Sequence, residues 1–362
     1  MKSRFLFTIS SVLIIIVLTG CGSSNTKMLP QAAGHLTFVA NNNLDSISTF
    51  QMDPASGQLS MVGSTPTGLC SGPRYLELHP GKTLLFASCQ NSNSVAAFSV
   101  DRGSGSLTMI GSPTATGVGP VTVAIDPQGK FLYVSNINSS TLSGFAIGSD
   151  GGLTPVPGSP FATGQTPYWV EMSSSGNFVY VANRDSNNVS AFRIDSSTGA
   201  LTEIPGSPFA TDQGPRAVAL SGKFAFVPNR FANTVSAFTV DPNTGALNPV
   251  AGSPFPSHTD PRSAAVDASG RFLYVPNTVS NDISAYTIDQ NTGALAPISG
   301  SPFAGGQVPL QIETDSSGKF IYVANSGSNN VTVYAVNSAT GQLQLVQTTA
   351  TPGSAVSFAQ VQ

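Results

Sequence analysis

From residue 35 onward the chain alternates short apolar runs with polar, glycine-rich breaks, and no stretch carries the 3.6-residue apolar period of a helix. The alternation itself repeats. The segment from Tyr180 to Phe192 recurs in altered form seven times, with copies starting at Phe38, Phe86, Tyr133, Tyr180, Phe226, Tyr274 and Tyr322, 46 to 48 residues apart. A period of that length marks a propeller or a solenoid. The fourth copy resolves into four strand-like runs, Tyr168 to Met172, Phe178 to Ala182, Val189 to Ile194 and Leu201 to Ile204, which is the strand count of a propeller blade. The pattern opens on a run of the second type, His35 to Ala40, and closes on an unpaired run of the first type, Ala355 to Val361. The tail therefore completes the opening blade and leaves no free sheet edge. The expected fold is all-β, a seven-bladed β-propeller of four-stranded antiparallel blades, its ring closed by the C-terminal strand joining the N-terminal blade.

The polar breaks carry turn chemistry. Gly followed mostly by Lys or Arg separates first and second strands, as at Gly81-Lys82 and Gly318-Lys319, and Asp-x-x-Thr-Gly separates third and fourth, as at Asp195 to Gly199. Gly-Ser-Pro, often with Phe, ends the unit. Asn41, Asn136, Asn183, Asn229, Asn277 and Asn325 end second strands and are expected to hydrogen-bond the following turn. Residues present in nearly every blade are explained by the blade.

The first residues follow another rule. Lys2 and Arg4 precede an apolar run from Leu13 to Leu18, the order of a secretory signal peptide, and the run is short for a membrane span. Leu18-Thr19-Gly20-Cys21 resembles the lipobox of bacterial lipoproteins. That resemblance implies cleavage before Cys21, acylation of its thiol and an extracytoplasmic protein held on a membrane, and Gly22 in place of Asp implies the outer membrane if the cell has one. The expected organisation is a lipoprotein signal peptide over 1–20, a lipidated flexible tether over 21–34 and the propeller over 35–362.

Composition narrows the function. Loss of Lys2 and Arg4 reduces 15 basic residues to 13, against 18 acidic ones, so the surface is mildly acidic and nucleic acid is not an expected partner. No pair of cysteines or histidines has metal-ligand spacing, and no metal or cofactor is expected. Cys70, before a first strand, and Cys89, ending the adjacent second strand, come to the same end of one hairpin, where an oxidising compartment would link them.

Residues that break the seven-fold pattern are the candidates for function. Arg74, Arg216 and Arg262 follow the Pro that opens a first strand, and Arg184 and Arg230 follow the Asn that ends a second strand. In a propeller these positions share one face, around the mouth of the central channel, and guanidinium groups there suit a carboxylate or phosphate. Other blades place Val121, Tyr168 or Leu310 there, so the fold does not require arginine. Glu77, Glu171 and Glu313 stand four residues after the same Pro and offer the arginines internal ion pairs as an alternative. His258, in an inter-blade loop on that face, and Glu171 are the candidate general bases.

Gly72-Pro73-Arg74-Tyr75-Leu76-Glu77-Leu78-His79-Pro80-Gly81-Lys82 resembles the Gly-Pro-Arg-His strand and His-Pro-x-Gly-Lys turn of the lactonase family of seven-bladed propellers, which includes 6-phosphogluconolactonases and adjoins the YVTN surface repeats. The likeness covers His35 to the C-terminus. Tyr75, Ala217 and Ser263 stand where the family pattern has His. The resemblance implies the fold, matches the family's Arg at Arg74 and points to lactone hydrolysis as an activity. The expected role is a membrane-anchored lactonase-type propeller that binds a small anionic or polar ligand, or a protein partner, through Arg74, Arg216, Arg262, Arg184, Arg230, Tyr168, Glu77 and Glu313. The alternative is lactone hydrolysis, with Glu171 or His258 as base.

Overall fold

The computed structural model describes residues 35–361, so the signal peptide, Cys21 and the tether lie outside the described residues. Seven antiparallel sheets follow one another along the chain. In the first, the strands His35–Asn41, Ser46–Met52 and Leu59–Pro66 are completed by Ala355–Val361, which pairs with the opening strand in the register Leu36 to Val361 and Phe38 to Ala359. The ring closes as the sequence pattern requires. Among the described residues no helix is long and apolar enough to cross a membrane.

Each second strand buries one large ring at the repeat's lead position. Phe38, Phe86, Tyr133, Tyr180, Phe226, Tyr274 and Tyr322 are all fully buried. The four tyrosines also tie blade to blade, because each hydroxyl donates to a glycine carbonyl in the third-to-fourth-strand turn of the next blade: Tyr133 to Gly199 (2.7 Å), Tyr180 to Gly245 (2.9 Å), Tyr274 to Gly341 (2.8 Å) and Tyr322 to Gly57 (3.1 Å). The last of these joins the seventh blade to the first. Glycine is required at these turns twice over. Gly245 has φ of +78°, and a Cβ there would come within 2.5 Å of Phe178. Asp195 shapes the equivalent turn by accepting the amides of Ser197 and Thr198.

The repeated asparagines are structural. Asn183 donates to Asn188 and Ser190, and Asn229 to Thr234 and Ser236, so each bridges the ends of the second and third strands. The cysteine pair closes as a disulfide between Cys70 and Cys89.

Each blade keeps the expected path of four strands, and five blades add a short fifth strand off that path. After Gly-Ser-Pro a two-residue strand, such as Phe209–Ala210 or Phe303–Ala304, returns to pair with the third strand. The serine of that turn explains why the segment can leave and come back: Ser207 accepts the amide of Ala191, and Ser253 that of Ala237, where the ladder is interrupted. The first strands also vary. In the fifth and sixth blades they shrink to Ala219–Ser221 and Ala265–Val266, with single bridges at Pro215 and Pro261.

Candidate functional site at the two ends of the channel

The first strands line the channel, and corresponding positions of the seven blades stack into rings. One residue after the opening proline come Arg74, Val121, Tyr168, Arg216, Arg262 and Leu310, with Val356 of the tail strand in the seventh place, and all seven line one cavity of about 40 Å³. Arg74, Arg216 and Arg262 therefore meet at a single mouth. Tyr75, Trp169 and Gln311, one residue further on, line both this cavity and a larger one of about 410 Å³ beyond it. They form a partition. The Tyr75 and Trp169 rings meet edge to face at 5.1 Å, and the Gln311 amide reaches the Tyr75 hydroxyl at 3.4 Å while its oxygen accepts the amide of Phe358.

Tyr168 is the hub of the mouth. Arg74 Nη2 donates to its hydroxyl at 2.6 Å, and the guanidinium carbon of Arg216 lies 3.2 Å from its ring centroid. Its backbone carbonyl accepts from Thr122, which fixes the strand beneath. Burial alone would push the phenol up, but the charges of Arg74, Arg216 and Arg262 and the Arg74 hydrogen bond outweigh it and hold the hydroxyl at about 7.

Arg216 is the most constrained cation. It is only 3% exposed, and its Nε and Nη1 are buried with no hydrogen-bond partner. Burial pushes it well below the usual guanidinium range; Tyr168 opposes this, and Arg262, Arg74 and Arg230 add to it. A guanidinium stays protonated in a protein, so the direction measures the cost of burying a charge that Tyr168 only partly offsets. Two guanidinium nitrogens without an acceptor therefore lie against an ionisable phenol.

Arg184, Arg230 and Arg262 are answered by aspartates that the sequence reading did not single out. Arg184 pairs with Asp185 at 2.7 Å, and Arg230 and Arg262 share Asp260 at 2.8 and 3.2 Å. Both aspartates were adjacent in sequence to their partners' motifs, Asp185 after Arg184 and Asp260 in Asp260-Pro261-Arg262, which is the signal that could have found them. The ion pairs considered between these arginines and Glu77, Glu171 or Glu313 do not form among the described residues. The register of the first strand separates them: the glutamates lie past the partition and line the larger chamber.

The two candidate bases are likewise away from the arginine cavity. Glu171 faces the larger chamber and accepts from Trp169 Nε1 at 3.0 Å, and His258, 48% exposed, holds Asp282 at 2.8 Å. Neither lines the cavity that holds Arg216.

The larger chamber has the opposite chemistry. Glu77, Glu171 and Glu313 occupy three places of its ring, and Ala124, Ala219, Ala265 and Ala359 the same place in the other blades, so the carboxyl groups have space between them. Burial pushes all three up: Glu77 well above the carboxylate range, helped by Glu313 and Glu171; Glu313 to about 8, helped by Glu171; and Glu171 to about 7, against the Trp169 hydrogen bond. Gln311 donates to Glu313 at 2.7 Å. Among the described residues, no three His, Cys, Asp or Glu side chains converge to hold a metal ion.

Comparison with known proteins agrees with this architecture. The description of the lactonase seven-bladed β-propeller family matches residues 30–124, 109–211, 204–306 and 299–359. No curated protein matches the sequence. Among solved structures, a 6-phosphogluconolactonase so named provisionally from Bacteroides uniformis is similar at 22% identity and a TM-score of 0.81, covering 91% of this chain and 100% of that one. A counterpart from Bacteroides fragilis gives 20% and 0.81 over 94% and 100%, and the periplasmic gluconolactonase of Pseudomonas aeruginosa gives 20% and 0.79 over 91% and 99%. At these identities the structures speak for the fold, while the family match spans nearly the whole described ring. The chain belongs to the lactonase family of seven-bladed β-propellers.

Proposed function

We propose that the protein hydrolyses a lactone at the arginine-lined mouth of its channel. The observation that carries this reading is the pair of unpartnered, buried guanidinium nitrogens of Arg216 stacked on the Tyr168 ring, whose hydroxyl Arg74 holds. Lactone hydrolysis needs a base for the attacking water and donors for the oxyanion. Tyr168, ionised near neutrality, supplies the base. Its phenolate takes a proton from water as the hydroxide equivalent adds to the carbonyl carbon, and Arg216 stabilises the resulting oxyanion. The intermediate then collapses with cleavage of the ring C–O bond, and the phenol returns its proton to the departing alkoxide. The products are a free hydroxyl and a carboxylic acid, which loses its proton to solvent to become the carboxylate, and Tyr168 ends as it began. A cavity of about 40 Å³ admits a carboxylate or oxyanion and not a sugar ring, so the remainder of the substrate sits in the open mouth. The gluconolactonase and 6-phosphogluconolactonase names of similar structures favour aldonolactones as the substrate class.

The same arrangement also supports simple capture of a carboxylate or a partner's acidic group, the reading that needs only Arg74, Arg216 and Arg262. Turnover separates the two. The full chain is assayed against γ- and δ-aldonolactones by proton release, with spontaneous opening subtracted; hydrolysis lost in Arg216→Leu supports the enzyme, and saturable binding of the aldonate without turnover supports capture.

The proposed setting is extracytoplasmic, with attachment to a membrane through acylated Cys21. What supports it is the lipobox-like sequence before Cys21 and the Cys70–Cys89 disulfide, a bond that persists in oxidising compartments. Labelling of the wild-type chain, and not of Cys21→Ser, with a radioactive or clickable fatty acid tests it.

A further inference from the structure

We infer that the chamber beyond the partition is a second binding site, for a small organic cation bearing one or two ammonium groups. Four features converge on that class. The chamber holds about 410 Å³, within the range of small-molecule sites, and among the described residues lining it none is basic. Its ring carries three carboxyl groups separated by alanines, and Glu77 has neither a hydrogen bond nor an ion pair among the described residues. Its floor is aromatic, built from Tyr75 and Trp169, and aromatic rings with carboxylates are the usual surroundings of an ammonium group. Finally, the carboxyl groups do not converge on one point, which disfavours a compact metal ion and suits a ligand with extent.

The position of the acids argues against a purely structural role. The same ring place holds alanine in four blades, so the fold does not need them, and three mutually repelling acids in one channel destabilise it unless something neutralises them. Burial favours the neutral form of all three, so at low pH a proton fills that role. Tyr75, Glu77, Glu171 and Glu313 face the chamber, and His79 and Lys82 border the adjoining hollow that Glu77 and Glu313 also line. A bound cation replaces the proton, so binding strengthens as pH rises through the range in which Glu171, at about 7, and Glu313, at about 8, ionise.

Trp169 is the single tryptophan of the chain and lies in the wall of this chamber, so it reports occupancy directly. The full chain is titrated with 1,4-diaminobutane at about pH 6 and about pH 9 while tryptophan emission is followed. The expected result is a saturable change, at least about tenfold tighter at the higher pH, and weakened about tenfold or more in Glu77→Gln/Glu313→Gln, which keeps the Glu171 partner of Trp169. Arg216→Leu should bind the diamine as the wild type does, which separates this site from the lactone site. No saturable change up to about 10 mM, equal affinity in the double variant, or the same change produced by magnesium or calcium would overturn the inference. Should the double variant fail to fold, the pH dependence in the wild type decides alone: affinity unchanged or weaker at the higher pH refutes it.

Discussion

Arg216 is stacked on Tyr168 with its guanidinium carbon 3.2 Å from the ring centroid, in a pocket where two of its N–H groups have no acceptor. The two residues come from adjacent blades and occupy the same ring position, where sister blades carry Val121 and Leu310. Cation and phenol thus face each other at a place that Val121, Leu310 and Val356 fill with hydrocarbon in three other blades.

Arg216→Leu is expected to leave the ring folded and to stabilise it, by up to about 3 kcal/mol, because a buried guanidinium with two nitrogens lacking an acceptor, only partly offset by Tyr168, is replaced by a side chain already used at this position. Urea denaturation of both proteins measures it. The wild type should also gain thermal stability with added gluconate, and the variant should not. Collapse of the variant would mean that the guanidinium is structural.

The acid ring makes stability depend on pH in a definite sense. Glu171 is raised from the ordinary carboxylate range to about 7, so its neutral form is favoured in the native state. The contribution is fully present below the unfolded value and is lost as pH rises through about 7. Glu171→Gln, which mimics the neutral acid, should therefore match the wild type near pH 4 and exceed it by about 1–3 kcal/mol near pH 8.5, after allowance for channel water. A constant difference across that range would show that Glu171 does not titrate as described.

The tyrosine ties between blades predict a graded loss. Tyr180→Phe removes the hydroxyl that donates to Gly245 and leaves that carbonyl buried, at a cost of about 1–2 kcal/mol in urea denaturation. Three blades already carry Phe at this position, so the ring itself should survive. A loss above about 4 kcal/mol would instead indicate repacking against Phe178.

The repeat made the architecture legible because its information is redundant: seven copies of one strand pattern, and ends that fit each other, admit one closed ring. The short returning strands, such as Phe209–Ala210, are not legible in the sequence because two residues carry no period, although the Gly-Ser-Pro turn before them is. At the mouth, departure from the repeat located Arg74, Arg216, Arg262 and Tyr168 together, but not their partners. Pairing depends on depth along the first strand, and a separation of three residues places Glu77 on the far side of Tyr75 from Arg74. Trp169 and Gln311 carry no signal in the sequence, since a partition across the channel exists only once the seven blades are assembled.

The most direct test of the central claim is the pH dependence of kcat/KM for hydrolysis of a δ-aldonolactone by the wild type and by Tyr168→Phe, with spontaneous opening subtracted. The account predicts a wild-type rate that rises through an apparent pKa near 7 and a variant slower by about 100-fold or more with that inflection gone. A variant that keeps both the rate and the inflection would contradict it.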